Sequence, residues 1–375
     1  MAAEDGPTGS RIAVIGMTLG ETSGMRDYAE LQARATHLSG PCSFHWLVRE
    51  ERSRSEIASW REQVAGELSR ERPDFLVLHY SAFAYSHRGV PVFLPGVLRT
   101  LRAARAPLVT VLHELAYPWH RPGARERVWA ITQRMALVDL FRASSAAVAT
   151  TEHNASWARS RRWLPRRPIS VAPVFSNLPL PSVPAPTVVP GRVGLFGYGN
   201  EEALMEPVLD ALARVRSQRD DVRLLLLGAP GADSERGREL AREAGMRGIA
   251  SEAVDFSGVL PAQELSDLLA SCEVLLSCAS PGPTSRKGTI AASLSSGRPL
   301  LALDGRQTWR ELVDAEAVQL ARPDGASLAS GLEQLLGDVQ LQAHLGARGS
   351  EFARDRLSVE HGARVLEEIF SSLRR

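Results

Sequence analysis

The sequence predicts an α/β protein with two doubly wound, Rossmann-like domains. Two consecutive runs of alternating apolar strand segments and helical segments are typical of parallel sheets covered by helices on both faces. Six prolines between residues 173 and 190 separate the two runs, as in an interdomain linker. We therefore expect two domains that face a central cleft. The predicted boundaries are residues 1–178 for an N-terminal domain, 179–191 for the linker, 192–355 for a C-terminal domain, and 356–375 for a helix that packs back towards the N-terminal domain.

Length and composition limit the classes of protein to which this chain can belong. The chain has 375 residues, of which 44% are hydrophobic, and its 44 basic and 43 acidic side chains give a formal net charge of +1. This near-neutral balance fits two soluble domains and argues against a nucleic-acid-binding protein. No apolar stretch is long enough to span a membrane, and the N-terminal residues lack the features of a signal peptide, so we expect a cytoplasmic protein. The three cysteines have no metal-ligand spacing, and we expect them to be small buried side chains.

The strands of the first run are near-continuous apolar segments, because strands of a parallel sheet are buried on both faces. They are predicted at residues 11–16, 44–48, 74–79, 107–112, 146–150 and 171–175. Helical patterns between them are predicted up to residue 38 and over 50–72, 95–106 and 121–142.

Candidate ligand contacts of the first domain follow its strands. Ser23 and Gly24 lie where the first helix should begin, so their amides could face a ligand, although a plain helix cap fits equally well. His79 and Tyr80 end the third strand, at the sheet edge where open α/β sheets bind ligands.

The fourth strand adds two more candidates. His113 lies just past its carboxyl end, which is where a site histidine is expected. Glu114 follows it and could be a site residue, a cap or a solvated carboxylate.

The second run repeats the pattern. Strands are predicted at residues 192–196, 222–227, 254–257, 274–277 and 299–303, with helices at 202–217, 234–244, 262–270 and from 289. Glycines at three of the strand ends, Gly197, Gly228 and Gly258, would let the backbone approach a ligand closely.

The stretch from residue 280 to 299 is where we expect the chemistry. It contains Lys287, the only lysine of the chain, whose compact ammonium group suits a phosphate oxygen better than the planar fork of arginine. The loop follows a predicted buried strand and precedes a helix from Thr289, so helix N–H groups would face the same anion. The alternative is that the position of the lone lysine is incidental.

Several segments in order along nearly the whole chain resemble the retaining glycosyltransferases of the GT-B fold, in the large family 4 group. The resemblance rests on residues 23–27, 113–114, 175–179, 256–260, 285–289 and 296–299. It implies a nucleotide-sugar donor held by the C-terminal domain, an acceptor bound mainly by the N-terminal domain, and no metal or other cofactor. It also implies that the Gly24 amide approaches the donor diphosphate, that His113 contacts the sugar near the reacting carbon, and that the Leu260 backbone holds the base.

Two departures from the family pattern stand out. Thr284 and Ala292 occupy the positions of the glutamate pair that members typically carry, so the usual ribose-binding carboxylate is missing. Gly199 and Asn200 replace the basic pair that commonly follows the first strand of the second domain. The chain therefore resembles a divergent branch in which Arg286 and Lys287 neutralise the diphosphate.

The resemblance thus predicts a hexosyltransferase that uses a UDP- or GDP-sugar with retention, in the biosynthesis of a surface glycan or a natural-product glycoside. The predicted catalytic residues are His113, Glu114, Arg286 and Lys287. The predicted donor-binding residues are Ser23, Gly24, Gly197, Gly199, Gly228, Leu260, Ser285, Gly288 and Thr289, and the predicted acceptor-binding residues are Arg26, His79 and Tyr80.

Other functions remain open at this stage. The loss of both glutamates could mark a catalytically degenerate nucleotide-binding partner subunit, and a nucleotide-sugar epimerase could share the architecture. A dinucleotide oxidoreductase is disfavoured because no Gly-x-Gly-x-x-Gly segment follows either first strand.

The sequence also leaves the partners open. The acceptor could be a glycan, a lipid-linked saccharide or a small molecule, and the protein could be a monomer or a homodimer. The arginines between residues 159 and 167 could support a peripheral contact with the inner face of a membrane, or form a solvated helix face.

Overall fold

The computed structural model describes residues 9–20, 24–36, 39–48, 54–119, 123–199 and 203–375. The chain divides into two compact units, one formed by Met1–Pro173 with Val359–Arg375 and the other by Val174–Ser358. Each unit has a six-stranded parallel sheet with flanking helices, so the prediction of a two-domain α/β fold is confirmed.

The sheet of unit 1 has the strand order β2-β1-β3-β4-β5-β6. Its strands are β1 (Ser10–Thr18), β2 (Ser39–Val48), β3 (Phe75–Tyr80), β4 (Leu108–Leu112), β5 (Ala146–Ala149) and β6 (Ile169–Val171). The helices between them are α1 (Gly24–Arg34), α2 (Arg54–Glu71), α3 (Leu94–Ala103), α4 (Ala124–Ala143) and α5 (Glu152–Ser160). Every residue of β3 and β4 is buried, as their predominantly apolar sequences predict.

The sheet of unit 2 has the strand order β12-β11-β10-β7-β8-β9. Its strands are β7 (Val189–Phe196), β8 (Arg223–Leu227), β9 (Val254–Gly258), β10 (Cys272–Ser277), β11 (Leu300–Leu303) and β12 (Gln319–Ala321). Its helices are α6 (Met205–Arg216), α7 (Glu235–Met246), α8 (Ala262–Ala270), α9 (Gly288–Ser295), α10 (Arg310–Asp314), α11 (Gly325–Gly337) and α12 (Val339–Arg356).

The last helix, α13 (Val359–Arg374), belongs to unit 1. Its Phe370 side chain is buried and stacks on Phe75 of β3 with ring centroids 4.3 Å apart. The side-chain amide of Gln32 in α1 also donates to the Gly362 carbonyl at 2.9 Å. Unit 1 is therefore discontinuous in sequence, because its last helix follows the whole of unit 2.

Strand order places a topological switch point in each sheet. In unit 1 the chain leaves β1 for β2 on one side and returns to β3 on the other, and in unit 2 it leaves β7 for β8 and returns to β10. Open α/β sheets bind ligands in the crevice outside the carboxyl ends of the strands at such points. The described part of the chain contains no helix long and apolar enough to cross a membrane.

Several predicted element ends differ from the structure for local reasons. The strand predicted at 171–175 is wrong, because β6 ends at Val171, two residues before Pro173, which has no N–H to donate. The helix predicted at 95–106 ends at Ala103, because Arg105 has a positive φ of 56° and Pro107 follows. Conversely, β7 begins at Val189, before the predicted start at residue 192.

Candidate functional site

A depression lies at the switch point of unit 2, between the carboxyl ends of β7 and β10. Its volume is about 20 Å³, and its lining residues are Leu195, Phe196, Gly197, Ala203, Ser277, Cys278, Ala279, Lys287 and Thr289. An isolated bridge between Ala203 and Ala279 closes one part of its wall. Two of the predicted donor-binding residues, Gly197 and Thr289, and one predicted catalytic residue, Lys287, therefore meet at one depression.

Lys287 is the residue immediately before α9. Its backbone is extended, with φ −103° and ψ 111°, and its side chain does not cap the helix. The first N–H groups of a helix, here those of Gly288 and Thr289, have no acceptor inside the helix, and the helix dipole is positive at this end. The half-buried lysine and the helix N-terminus therefore offer positive charge and N–H donors to the same depression, which is the arrangement of an anion site.

The loop that carries Lys287 is fixed by the segment that begins unit 2. Ser285 is buried, and its carbonyl accepts a hydrogen bond of 2.8 Å from the Val174 amide. An added Cβ at Gly288 would lie 3.6 Å from the Phe175 carbonyl oxygen, which is an ordinary contact. Arg286 follows Ser285 and is partly exposed. The predicted loop is thus held by a hydrogen bond immediately before the two cationic residues.

The two positions of the missing glutamate pair are buried. Thr284 is 2% exposed and Ala292 is 5% exposed. The Thr284 hydroxyl has no hydrogen-bond partner among the described residues. Neither side chain carries a carboxylate, so these two residues cannot bind a ribose in the way that the family glutamate does.

The glycines at the strand ends are explained first by backbone conformation. Gly197, Gly228 and Gly258 have positive φ values of 88°, 85° and 63°, which residues with a Cβ adopt at a cost. Gly228 and Gly258 pair in an isolated bridge, and Gly228 does not line the depression. Of these three glycines, only Gly197 lies where it could admit a ligand to the depression.

Gly199 and Leu260 have packing roles. A Cβ at Gly199 would lie 2.9 Å from the Ala229 carbonyl oxygen and closer still to Pro230, so the close approach there is to protein. Leu260 is partly buried against the second hydrophobic core of unit 2. Neither residue lines the depression, and their roles in donor binding stay predictions. Asn200 lies outside the described residues.

The site residues of unit 1 centre on a histidine pair. Nδ1 of His79, at the end of β3, lies 3.0 Å from Nε2 of His113, just past β4. His79 is 1% exposed and His113 is partly buried. Burial lowers the pKa of His113 to about 4, and burial together with the neighbouring His113 lowers the pKa of His79 well below its usual value. Both rings are therefore neutral at pH 7, with one donating its N–H to the other.

An aromatic residue from α1 supports this pair. The Tyr28 ring is edge-on to both imidazoles, with centroids 6.1 Å from His79 and 5.6 Å from His113. Tyr28 is fully buried, so it contributes packing around the two rings. Tyr28 was not predicted as a site residue, although its position four residues after Gly24 places it on the first turns of α1.

Glu114 and Tyr80 are next to the histidine pair in the sequence but differ in exposure. Glu114 is partly exposed and accepts a 2.8 Å hydrogen bond from the Ser81 hydroxyl. Tyr80 is fully buried, and its hydroxyl has no partner within the described ranges. Burial, with a contribution from the Glu114 charge, raises the Tyr80 pKa. The side chains of His79 and Tyr80 therefore cannot contact an acceptor directly in this structure, because protein atoms cover them.

The remaining predicted residues of unit 1 lie at the start of α1. The helix begins at Gly24, as predicted. Arg26 lies one turn from Glu30, and its Nε is 3.0 Å from the Glu30 carboxylate, which also pairs with Arg34. Ser23 lies outside the described residues. The described chain contains no group of three or more His, Cys, Asp or Glu side chains that could hold a metal ion.

Comparisons with known proteins show what the sequence and the fold resemble. Residues 190–338 match the family model described as "Glycosyl transferases group 1". No curated protein matches the sequence significantly. The structure is similar to that of HepE from Anabaena in complex with UDP and glucose, with a TM-score of 0.66 and 18% identity over 97% of this chain and 100% of that chain.

Two further solved structures have the same fold. A glycosyltransferase from Rickettsia africae gives a TM-score of 0.67 with 11% identity, over 98% of this chain and 100% of that chain. Sucrose-phosphate synthase from Thermosynechococcus elongatus gives 0.65 with 14% identity, over 97% of this chain and 99% of that chain. The chain therefore has the GT-B fold, and residues 190–338 of its second unit are similar to group 1 glycosyltransferases.

Proposed function

We propose that this protein is a retaining hexosyltransferase that moves a sugar from a nucleoside-diphosphate sugar to an acceptor hydroxyl. The observation that carries the proposal is the depression at the β7/β10 switch point, where Lys287 and the N-terminus of α9 meet. The group 1 glycosyltransferase match covers this site. Similar structures of HepE contain UDP or UDP-glucose, which supports a uridine nucleotide as the donor in preference to GDP.

Lys287 and Arg286 would stabilise the departing diphosphate. In the reaction the bond from the anomeric carbon to the phosphate oxygen breaks, and negative charge grows on that oxygen. Lys287 would meet this charge as a point cation, while the amides of Gly288 and Thr289 donate hydrogen bonds from the helix end. Donors that are fixed before the reaction stabilise developing charge without reorganisation in the transition state.

Retention would follow from positioning rather than from a covalent enzyme intermediate. The acceptor oxygen bonds to the anomeric carbon on the face that the diphosphate leaves, and its proton passes to an oxygen of the leaving phosphate. Glu114 accepts a hydrogen bond from Ser81. Glycosidases use two carboxylates, one on each side of the bond that breaks. We propose no second carboxylate to work with Glu114, so this mechanism differs from that of glycosidases. The reaction as written needs no metal ion.

The histidine pair would bind a sugar hydroxyl as a neutral unit. His113 is partly exposed, and burial holds its pKa near 4, so at pH 7 it is a hydrogen-bonding group without charge. The buried His79 would fix the orientation of the His113 ring through the 3.0 Å contact. We therefore reassign His79 from acceptor contact to positioning residue. Arg26, which is 40% exposed, keeps its proposed place among the acceptor contacts.

The decisive experiment is a calorimetric titration of UDP, GDP and UDP-glucose into the wild type, Lys287→Ala and Lys287→Arg. Loss of a hydrogen bond to a charged group costs about 1.5–3 kcal/mol, so Lys287→Ala should weaken UDP binding about 10- to 150-fold. Lys287→Arg should recover only part of the loss, because the planar guanidinium does not replace a compact ammonium. Arg322→Ala is a matched control, since Arg322 is highly exposed elsewhere in unit 2, and it should bind like the wild type.

Turnover separates this function from its alternatives. A glycosyltransferase releases UDP only with an acceptor present, and the anomeric configuration of the product by NMR reports retention. Interconversion of the sugar nucleotide without an acceptor would instead identify an epimerase. Unchanged UDP affinity in Lys287→Ala would refute the assignment of the diphosphate site.

A second candidate rests on Thr284 and Ala292. Because neither carries the family carboxylate, the chain could bind a nucleotide as a non-catalytic partner subunit. Tight UDP binding without turnover on any acceptor class, and without hydrolysis, would favour that function.

A further inference from the structure

An apolar stripe on the solvent side of α4 has no covering element in the described structure. Val128, Ile131 and Met135 are 48%, 48% and 64% exposed. Their spacing of three and four residues places them on one face of the helix. The opposite face, which includes Leu137 and Phe141, is buried in the core of unit 1.

Tryptophans and an arginine extend this stripe towards α5. The Arg134 guanidinium lies 4.4 Å over the ring of Trp119, which is 56% exposed, and 5.9 Å over that of Trp157. Trp157 in turn contacts Trp163, which is 43% exposed, with centroids 5.9 Å apart. We call these side chains together the α4–α5 face; its members are Trp119, Val128, Ile131, Arg134, Met135, Trp157, Arg161 and Trp163.

The α4–α5 face lies in the most basic part of the chain. Between residues 123 and 167, all of them described, there are nine arginines and three acidic residues. The rest of the chain then has 35 basic and 40 acidic residues, so the positive charge is concentrated here. Two of the nine arginines are paired, Arg142 with Asp139 and Arg159 with Glu152.

The other arginines of this segment lack carboxylate partners among the described residues. Arg134 uses its guanidinium on the carbonyls of Tyr117 and Ala130. Partial burial and the nearby positive charge of Arg161 lower its pKa. The positive charges of Arg134 and Arg161 repel each other beside exposed tryptophans. An anionic partner would offset this repulsion and would therefore stabilise the surface.

We propose that the α4–α5 face docks unit 1 onto the surface of an anionic lipid bilayer. A bilayer surface matches both properties of the face, since its apolar side chains can enter the boundary of the acyl chains while tryptophans and arginines stay at the headgroups. An acidic soluble protein would satisfy the arginines but would not by itself require protruding Val128, Ile131 and Met135 side chains. This proposal does not depend on the proposed transferase activity.

The test is flotation of the full-length protein with vesicles of phosphatidylcholine alone or mixed with phosphatidylglycerol. The wild type should bind the mixed vesicles and lose binding at high salt, because a juxtamembrane arginine contributes roughly a fivefold factor that falls off with ionic strength. Arg161→Ala, combined with Arg162→Ala at the adjacent exposed arginine, removes two positive charges at the α4–α5 face and should therefore weaken binding about 30-fold. Ile131→Ser with Met135→Ser should also reduce binding, since it removes the inserting groups.

Matched controls keep the result interpretable. Met246→Ser changes a side chain in unit 2 that is 79% exposed, and Arg354→Ala removes an exposed arginine of unit 2, so both should bind like the wild type. All substitutions lie at exposed positions, so equal melting temperatures are expected and are measured alongside. The proposal is overturned if the wild type does not bind anionic vesicles, or if the variants of the α4–α5 face bind as well as the controls. Binding to acidic proteins but not to vesicles would also overturn it.

Discussion

At the residue scale, Lys287 and His113 show two ways in which the fold prepares a side chain for chemistry. Lys287 brings a positive charge to the start of α9, where the helix itself favours an anion, so two independent effects act on one ligand. The fold keeps the His113 imidazole uncharged at neutral pH, because burial holds its pKa at about 4. The same imidazole in water would be partly protonated near pH 6.5.

The histidine pair makes stability depend on pH. The pKa of His113 is lower in the folded state than in the unfolded chain, so the unfolded state binds more protons between pH 6.5 and pH 4. Stability is therefore full above this window and falls as the pH decreases through it. For His113 alone, the free energy of unfolding should drop by about 2 kcal/mol from pH 7 to pH 5. Urea unfolding of the wild type and of His113→Gln at both pH values measures this.

His113→Gln should show a smaller decrease, because glutamine does not titrate. His344→Gln is the control, since His344 lies at the surface of unit 2 with half of its side chain exposed. If the wild type and His113→Gln lose the same stability between pH 7 and pH 5, the neutral pair is not the source of the pH dependence.

At the scale of elements, the turns after β7, β8 and β9 depend on glycine conformation. The Tyr198 hydroxyl links two of these turns, because it accepts a 2.9 Å hydrogen bond from the Gly231 amide and lies 3.4 Å from the Gly228 carbonyl. The Gly228 amide donates to the Ser257 hydroxyl at 3.0 Å. The loops beside the depression are therefore held by hydrogen bonds between neighbouring strand ends.

Gly228→Ala should destabilise unit 2. Its φ of 85° is left-handed, which costs a residue with a Cβ about 1–2 kcal/mol, and the added atom would lie 3.3 Å from the Phe196 ring. Gly245→Ala in α7 is a control of opposite expected sign, because an added Cβ there meets nothing within 4 Å and a helical alanine gains up to about 1 kcal/mol over glycine. Thermal unfolding compares the two, and equal shifts would contradict the conformational argument.

Helices and strands could be told apart from the sequence, but the residues at which some of them begin or end could not. β1, β3 and β4 are mostly apolar and lie within two residues of the predicted bounds. The end of α3 was missed because a non-glycine residue, Arg105, adopts a positive φ, for which the sequence gives no signal. The early start of β7 was missed because Pro190 looked like part of the linker, although the Gly191 amide can still donate to Glu273 at 2.6 Å.

At the scale of the whole molecule, α13 makes unit 1 depend on the end of the chain. Phe370→Ala removes a fully buried ring that stacks on Phe75, and such a change typically costs about 3–5 kcal/mol. We expect this loss in unit 1, since α13 belongs to that unit. Hydrogen exchange measured by mass spectrometry should increase in peptides of β3 and α1, and peptides of β8 should stay unchanged.

Ser371→Ala, one residue along on the exposed side of α13, is the control for this prediction and should not alter exchange in either unit. Uniform acceleration in both units in the Phe370→Ala protein would contradict the division into two separately stabilised units.

The sequence alone determined the alternation of strands and helices, the two-domain α/β class and the loop before α9 that carries Lys287, because each is encoded by local periodicity, by glycine and proline positions or by a single distinctive side chain. It did not determine the strand order, the meeting of Gly197, Lys287 and Thr289 at one depression, or the 3.0 Å contact between His79 and His113. Tertiary structure decided these, because they depend on which distant segments become neighbours. It also decided that His79 and Tyr80 are covered by protein, since burial is a property of packed surroundings and not of a position at the end of a strand.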